Sequence, residues 1–270
     1  MGELSASKPV ETGGQGSLSV REVSLIYHGR RGDVQALDKV AFDIRPNEFT
    51  VIVGPSGCGK SSFLYLAAGL AEVTSGEILV NDRRVEGPGR DRGMVFQSYT
   101  LFPWLTVRQN VEYGPRRAGI EAAKRREISE HYLGEIGLTA FADHYPKQLS
   151  GGMMQRVAIA RALANNPDIL LMDEPFGALD SQTRRTMQKL LLRVWEHSHK
   201  TVAFVTHDID EAILLGDRVL VMTARPGRIK ADIPIAIPRP RDPEITLEPE
   251  FIALKRQIID QLRDEIDEGH

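Results

Sequence analysis

The chain has 270 residues, a formal net charge of −3 and one cysteine. This length suits one large domain or two small ones with a core of their own, and 41% hydrophobic against 26% charged residues is the balance of a globular chain, not a disordered one. The single cysteine excludes an internal disulfide framework and fits a reducing compartment; the acidic balance argues against a chain whose main affinity is for nucleic-acid backbone, and no run of about 18 apolar residues is present to span a membrane.

Residues 1–17 are polar, rich in Gly and Ser, and lack the apolar stretch of a secretory signal; Ala6 stands where a myristoylation signal needs Ser or Thr. A disordered tail is expected there. Val23, Leu25 and Tyr27, then Val40, Phe42 and Ile44, alternate with polar positions and predict two strands joined by a glycine-containing turn over residues 28–33. Residues 49–53 are a continuous apolar run suited to a buried strand, followed by a glycine-rich loop and a helix ending near Gly69. Residues 78–80 predict another short strand.

From about residue 98 to residue 164 strand signals are few, and helix formers dominate residues 121–136 and 151–164. Alternation then returns, with strands over residues 169–172, 201–205 and 218–222 and a helix over residues 184–198. This order predicts an α/β fold with a parallel sheet and crossover helices, into which the helical stretch is inserted. Pro234, Pro238, Pro240 and Pro243 predict an extended linker. Phe251, Leu254, Ile258, Leu262 and Ile266 recur at helical spacing and predict an amphipathic helix. Its polar face mixes acids and bases, which favours packing on the core over anionic lipid.

The loop Gly54, Pro55, Ser56, Gly57, Cys58, Gly59, Lys60, Ser61 has phosphate-binding spacing in the strand–loop–helix context that such a loop requires. Its glycines let backbone N–H groups wrap an anion, and the following helix adds its positive end. Lys60 supplies a flexible charge for β- and γ-phosphates and Ser61 a hydroxyl for Mg²⁺. Cys58 inside the loop reads first as a small residue that fits. The alternative is a reactive thiol at a helix N-terminus, whose alkylation would block nucleotide binding and be prevented by bound nucleotide. Farther on, an apolar strand ends in Asp173 and Glu174. An acid at a strand's C-terminal end suits a metal held directly or through water, and the next acid, pointing elsewhere, suits a base that polarises the attacking water.

Leu149, Ser150, Gly151 and Gly152, followed by Gln155 and Arg156, lie upstream of that acidic strand. With these motifs in this order, the chain resembles the ATP-binding subunit of an ABC transporter over roughly residues 18–223. The resemblance implies a P-loop NTPase core with a mainly parallel sheet, an antiparallel N-terminal β subdomain and an inserted α-helical subdomain. The expected division is a tail over residues 1–17, core over 18–97, helical subdomain with the signature over 98–164, core again over 165–233, and the linker with its C-terminal helix over 234–270.

By the same resemblance Tyr27 stacks on adenine, the phosphate loop extends to Ser62, and Gln97 touches Mg²⁺ and the attacking water. Asp173 serves the metal, Glu174 is the base, and His207 contacts the γ-phosphate and braces Glu174. Ser150, Gly151 and Gly152 face the γ-phosphate held by a second copy of the chain, and Asp180 contacts that copy. Ser150 would cap a helix whose free N–H groups lie at the two glycines. Met153 and Met154 stand where many family members have polar residues, which puts a polar side-chain role there in doubt.

The implied cofactors are ATP and Mg²⁺. The implied partners are a second ATPase subunit, two membrane-spanning permease subunits and a substrate-binding protein, with no nucleic acid, at the cytoplasmic face of the inner membrane. Residues 97–107, with Phe102, Pro103 and Trp104, and the tail from Pro238 to Leu254 resemble importer ATPases for nitrate, sulfonate and taurine. Those aromatics either dock a membrane subunit or fold into the insertion's own core. Competing expectations are an exporter or lipid-transporter ATPase of the same fold and a soluble ABC ATPase acting on nucleic acid or ribosomes. A nucleotide-dependent regulator without hydrolysis is disfavoured by the presence of both Glu174 and His207.

Overall fold

The computed structural model describes residues 16–29 and 32–267, with side chains to residue 263. The tail expected over residues 1–17 lies outside the described residues up to residue 15, as do Arg30 and Arg31 of the first turn and the Ile266 side chain. In chain order the elements begin with β1 (Leu18–Tyr27), β2 (Val34–Ile44), β3 (Phe49–Val53), α1 (Lys60–Ala67), β4 (Ser75–Val80), β5 (Arg83–Arg84) and β6 (Arg92–Val95). Then come the helices α2 (Val107–Arg117), α3 (Ala122–Glu135) and α4 (Gly151–Leu163). The chain closes with β7 (Ile169–Asp173), α5 (Ser181–Ser198), β8 (Thr201–Val205), α6 (Ile209–Leu215), β9 (Arg218–Met222), β10 (Ile229–Pro234) and α7 (Pro249–Asp267).

Two sheets result. One has the order β2-β1-β4-β5 and is antiparallel; the other has the order β10-β9-β3-β8-β7-β6 and is parallel except for β10 on β9. The continuous apolar runs of β3, β7 and β8 are buried at every position, because both faces of the larger sheet are covered. Alternate residues feed two cores: Phe49, Val51 and Val53 pack with α4, α5 and α6, whereas Ile52 packs with α1 and the antiparallel sheet. In β1 the expected simple alternation fails. Register shifts around Val23, with Glu22 in the left-handed region, bury Val23, Ser24 and Leu25 together.

Several elements were not expected. β6 is a four-residue edge strand with an Arg and a Gly, too short and too polar to show periodicity. α2 carries Pro115 in its last turn, which forgoes one N–H bond to the preceding turn near the helix end. β10 ends on Pro234 at the sheet edge, where the missing N–H costs no ladder bond.

The proline-rich segment after β10 has no helix or strand over residues 235–242, as expected of a linker, but Pro243 instead opens a 3₁₀ helix (Pro243–Leu247), and the segment is not free. Arg241 is buried, and its NH1 donates to the carbonyls of Ile213, Leu214 and Gly216 at 2.9, 3.3 and 2.5 Å. These belong to the C-terminal turn of α6 and the residue that follows it, where carbonyls lack helical partners. Arg239 NH2 takes the Leu215 carbonyl at 2.6 Å. Burial, with Arg239 nearby, holds the Arg241 guanidinium down to about 10, still charged at neutral pH. Arg241→Ala is therefore expected to destabilise the chain by about 2–4 kcal/mol; an unchanged denaturation midpoint would show that the segment contributes nothing to stability. Beyond it, α7 lays Phe251 and Ile258 into the core with Leu254 and Leu262 beside them, the surface-helix arrangement expected of its pattern. Among the described residues no helix is long and apolar enough to cross a membrane.

Candidate functional site

The phosphate loop leaves the buried strand β3 and turns into α1 at Gly59, whose φ of +105° is open to glycine at no steric cost. A Cβ there would also press on the Leu37 side chain at 2.7 Å. The first turn of α1 has no side-chain cap and no acidic residue, which leaves its N–H groups for an anion. The Lys60 ammonium folds back over the loop and donates to the carbonyls of Gly54 and Pro55 at 2.8 and 2.9 Å. These bonds to neutral oxygens can be exchanged for stronger ones to phosphate.

Ser61 points its hydroxyl across to β7, donating to Asp173 Oδ1 at 2.8 Å. Asp173 is 2% exposed. Burial pushes its carboxyl up, and the Ser61 hydrogen bond works against that rise. Tyr65, one turn along α1, lies beside Asp173; burial, with that carboxylate next to it, pushes the phenol up. Sequence reasoning missed Tyr65, because one tyrosine in a helix carries no spacing signal.

Glu174 follows β7 with φ +40°, in the left-handed region uncommon for a side-chain-bearing residue. The turn aims its carboxylate away from Asp173, and Oε2 lies 2.9 Å from Nδ1 of His207 at the end of β8. Tyr27 ends β1 about half exposed, with its hydroxyl donating to Ser62 at 3.0 Å. A cleft of about 580 Å³ gathers Tyr27, Ser56, Gly57, Gly59, Lys60, Ser61, Ser62, Gln97, Glu174 and Arg225. A larger cleft of about 920 Å³ runs beside α5, but it contains none of the phosphate-loop residues. Chemistry rather than size therefore identifies the site.

The Ser61 hydroxyl, the Asp173 carboxylate and the Gln97 amide are hard oxygen donors of the kind Mg²⁺ takes. Among the described residues no group of three or more His, Cys, Asp or Glu side chains could hold an ion by itself. The donor set thus fits a metal whose shell is completed by phosphate oxygens and water.

Not every expected residue lies in this cleft. Cys58 is 1% exposed, its thiol is pushed up by burial, and the neighbouring Lys60 only partly opposes that. It packs as a small apolar residue, the first reading of the sequence, and against the reactive-thiol alternative, since a buried, protonated sulfur is a poor nucleophile. Ser150, Gly151 and Gly152 stand at the start of α4, where Ser150 Oγ accepts from Met153 N at 3.3 Å. Asp180 caps α5 by accepting from Thr183 N at 2.9 Å and Gln182 N at 3.1 Å, and these bonds hold its carboxyl below the usual range. None of these four residues lines the chain's own phosphate-loop cleft. Met153 and Met154 pack against the core.

In the helical stretch Trp104 is 70% exposed, while Phe102 is half-buried against Tyr113 with ring centroids 4.4 Å apart. Arg161 lies 5.4 Å from the centre of the Phe102 ring. Buried Asn110 shapes this loop: its Oδ1 accepts from Phe102 N at 2.9 Å, and its Nδ2 donates to the Thr106 carbonyl at 3.0 Å. The tryptophan is thus not folded into the insertion's core.

Comparison with known proteins agrees with this geometry. A family model described as ABC transporter matches residues 37–177. The nitrate import ATP-binding protein NrtD of Synechocystis is 46% identical over 252 residues, covering 91% of this chain and 95% of that protein. The taurine import ATP-binding protein TauB of Rhizobium johnstonii is 51% identical over 215 residues, covering 79% and 82%. Among solved structures, the dimeric ATP-binding cassette MJ0796 in a post-hydrolysis state bound to ADP and Pi superposes with a TM-score of 0.72 at 36% identity, covering 82% of this chain and 99% of that one.

Proposed function

The chain belongs to the ABC transporter family and is an ATP hydrolase, and on that premise we propose that it powers import of a small anion through separate membrane subunits. Nitrate, a sulfonate, taurine or a similar solute fits the relatives, two of which are named for nitrate and taurine import. The observation that carries the reading is that Lys60, Ser61 and Glu174 line one cleft, with Asp173 hydrogen-bonded to Ser61 and His207 to Glu174.

In this reading Tyr27 takes the adenine on its ring face, a contact worth about 1–3 kcal/mol. The loop N–H groups and Lys60 hold the β- and γ-phosphates. Ser61, Gln97 and Asp173 would hold Mg²⁺, which would supply charge neutralisation at the phosphate oxygens. Glu174 takes the proton of a water as its oxygen attacks the γ-phosphorus, and ADP leaves. The Nδ1 contact from His207 keeps that carboxylate aimed. The start of α4 in one copy faces the γ-phosphate of the other, so that two chains, head to tail, complete two sites. This fits the placement of Ser150, Gly151, Gly152 and Asp180 outside the chain's own cleft, and the MJ0796 cassette is itself a dimer. The pair sits at the cytoplasmic face of the inner membrane beneath two permease subunits, fed by a substrate-binding protein.

Phe102, Pro103 and Trp104 are the docking patch for a permease subunit, favoured by the exposed indole. Trp104→Ala should therefore retain ATP hydrolysis by the isolated subunit but reduce solute uptake by the reconstituted complex by about tenfold or more. Unchanged uptake would make the residue merely a surface tryptophan. The import reading itself is tested by purifying the intact membrane complex and measuring its ATPase activity with candidate anions and the binding protein. Stimulation by one of them supports import, and stimulation by none of them while lipids or exported compounds stimulate would assign the chain to an exporter.

A further inference from the structure

Arg225 belongs to none of the motifs identified above, yet it lines the nucleotide cleft. Its guanidinium donates from Nε and NH2 to the Gly57 carbonyl, each at 3.3 Å. It stands on the turn between β9 and β10, and that turn is built to sit against the phosphate loop. Thr223 N donates to the Arg228 carbonyl and Arg228 N to Thr223 Oγ1, both at 3.0 Å, which closes the turn on itself. Gly227 N donates to the Ala36 carbonyl at 2.9 Å and Asp38 N to the Gly227 carbonyl at 3.0 Å, which fastens it to β2. Arg228 adds an ion pair with Asp38. A Cβ on Gly227 would collide with the Cys58 carbonyl, so only glycine lets the turn seat this closely under the loop.

We propose that Arg225 is a positioning residue that sets nucleotide affinity by fixing the Gly57–Cys58 peptide of the phosphate loop. A trans peptide points its C=O and N–H in opposite directions. Anchoring the Gly57 carbonyl on one side therefore presents the Cys58 N–H on the other. That N–H makes only a stretched 3.4 Å bond, to the Pro55 carbonyl, which already accepts from Lys60. It is thus free to turn to a phosphate oxygen, a stronger acceptor. Burial of the Cys58 side chain holds the other end of the residue still. The Arg225 side chain itself is exposed, so removing it opens no cavity in the core. Its charge also adds to that of Lys60 at the rim of a site for a polyanion.

The proposal rests on the assignment of this cleft to ATP, and the test separates the two. Steady-state ATPase kinetics, ADP affinity and thermal midpoints are measured for the wild type, Arg225→Ala, Arg225→Lys and Lys60→Ala. Arg225→Ala should raise the KM for ATP and the Kd for ADP about five- to tenfold, with kcat within about twofold and an unchanged midpoint. Arg225→Lys, which keeps a donor and the charge, should recover part of that loss. A KM within twofold of wild type in Arg225→Ala, while Lys60→Ala loses binding, overturns the role of Arg225 and leaves the cleft assignment standing. A fall in kcat and midpoint that lysine does not rescue also overturns it, since that is the mark of a folding defect. Wild-type nucleotide binding by Lys60→Ala overturns the cleft assignment and this proposal with it.

Discussion

Glu174→Gln is expected to bind ATP with near wild-type affinity and to lose turnover by at least about a hundredfold. The substitution keeps the length and shape of the side chain, and an amide can still meet His207 Nδ1 across the present 2.9 Å. It removes the one property the base needs, a lone pair able to take a proton from water at neutral pH. Asp173 cannot substitute. Its carboxylate is buried, is tied to Ser61 at 2.8 Å and is claimed by the metal role. Equilibrium nucleotide binding together with single-turnover hydrolysis separates the two effects. Wild-type turnover in this variant would refute the assignment of Glu174 as base, and loss of binding would show that the residue supports the loop instead.

The second large effect is expected at Lys60, where replacement by alanine should weaken ATP binding by roughly a hundredfold or more, from the loss of two charge-assisted hydrogen bonds. The ammonium is held at the loop by the carbonyls of Gly54 and Pro55, so it reaches phosphate with little ordering left to do. Lys60 itself lines the cleft, so water can enter the space it leaves, and the fold should survive. Titration with a fluorescent nucleotide, with a thermal midpoint as control, reads this directly. An affinity within a few-fold of wild type would remove Lys60 from the phosphate site and overturn the assignment of this cleft to ATP.

What could be read from the sequence follows from where the signals lie along the chain. β3, β7 and β8 were legible because burial on both faces forces unbroken apolar runs. β6 was not, since its pairing with β7 is specified by a partner more than 70 residues away rather than by its own four residues. β1 was misread in detail because its bulges break the alternation on which the reading relied. The phosphate loop was legible as a contiguous motif, Glu174 as an acid following the strand-end Asp173, and His207 through resemblance, although only the folded sheet brings Glu174 and His207 within 2.9 Å. Tyr65 and Arg225 left no trace. Each acts on a residue far along the chain, 168 positions away for Arg225 and Gly57. For Cys58 the first reading, a small residue that fits, holds over the reactive-thiol alternative. The end of α1 is where an activated thiol would belong, but tertiary packing buries the sulfur and raises its pKa.

The central claim is that two copies of this chain share each ATP, the phosphate loop of one closing on the start of α4 in the other. Light scattering on the Glu174→Gln protein with Mg²⁺ and either ATP or ADP tests it most directly, because ATP cannot be consumed during the measurement. The account predicts a particle of twice the 30.0 kDa chain mass with ATP and a single chain with ADP. A protein that remains a single chain while saturated with ATP would contradict it.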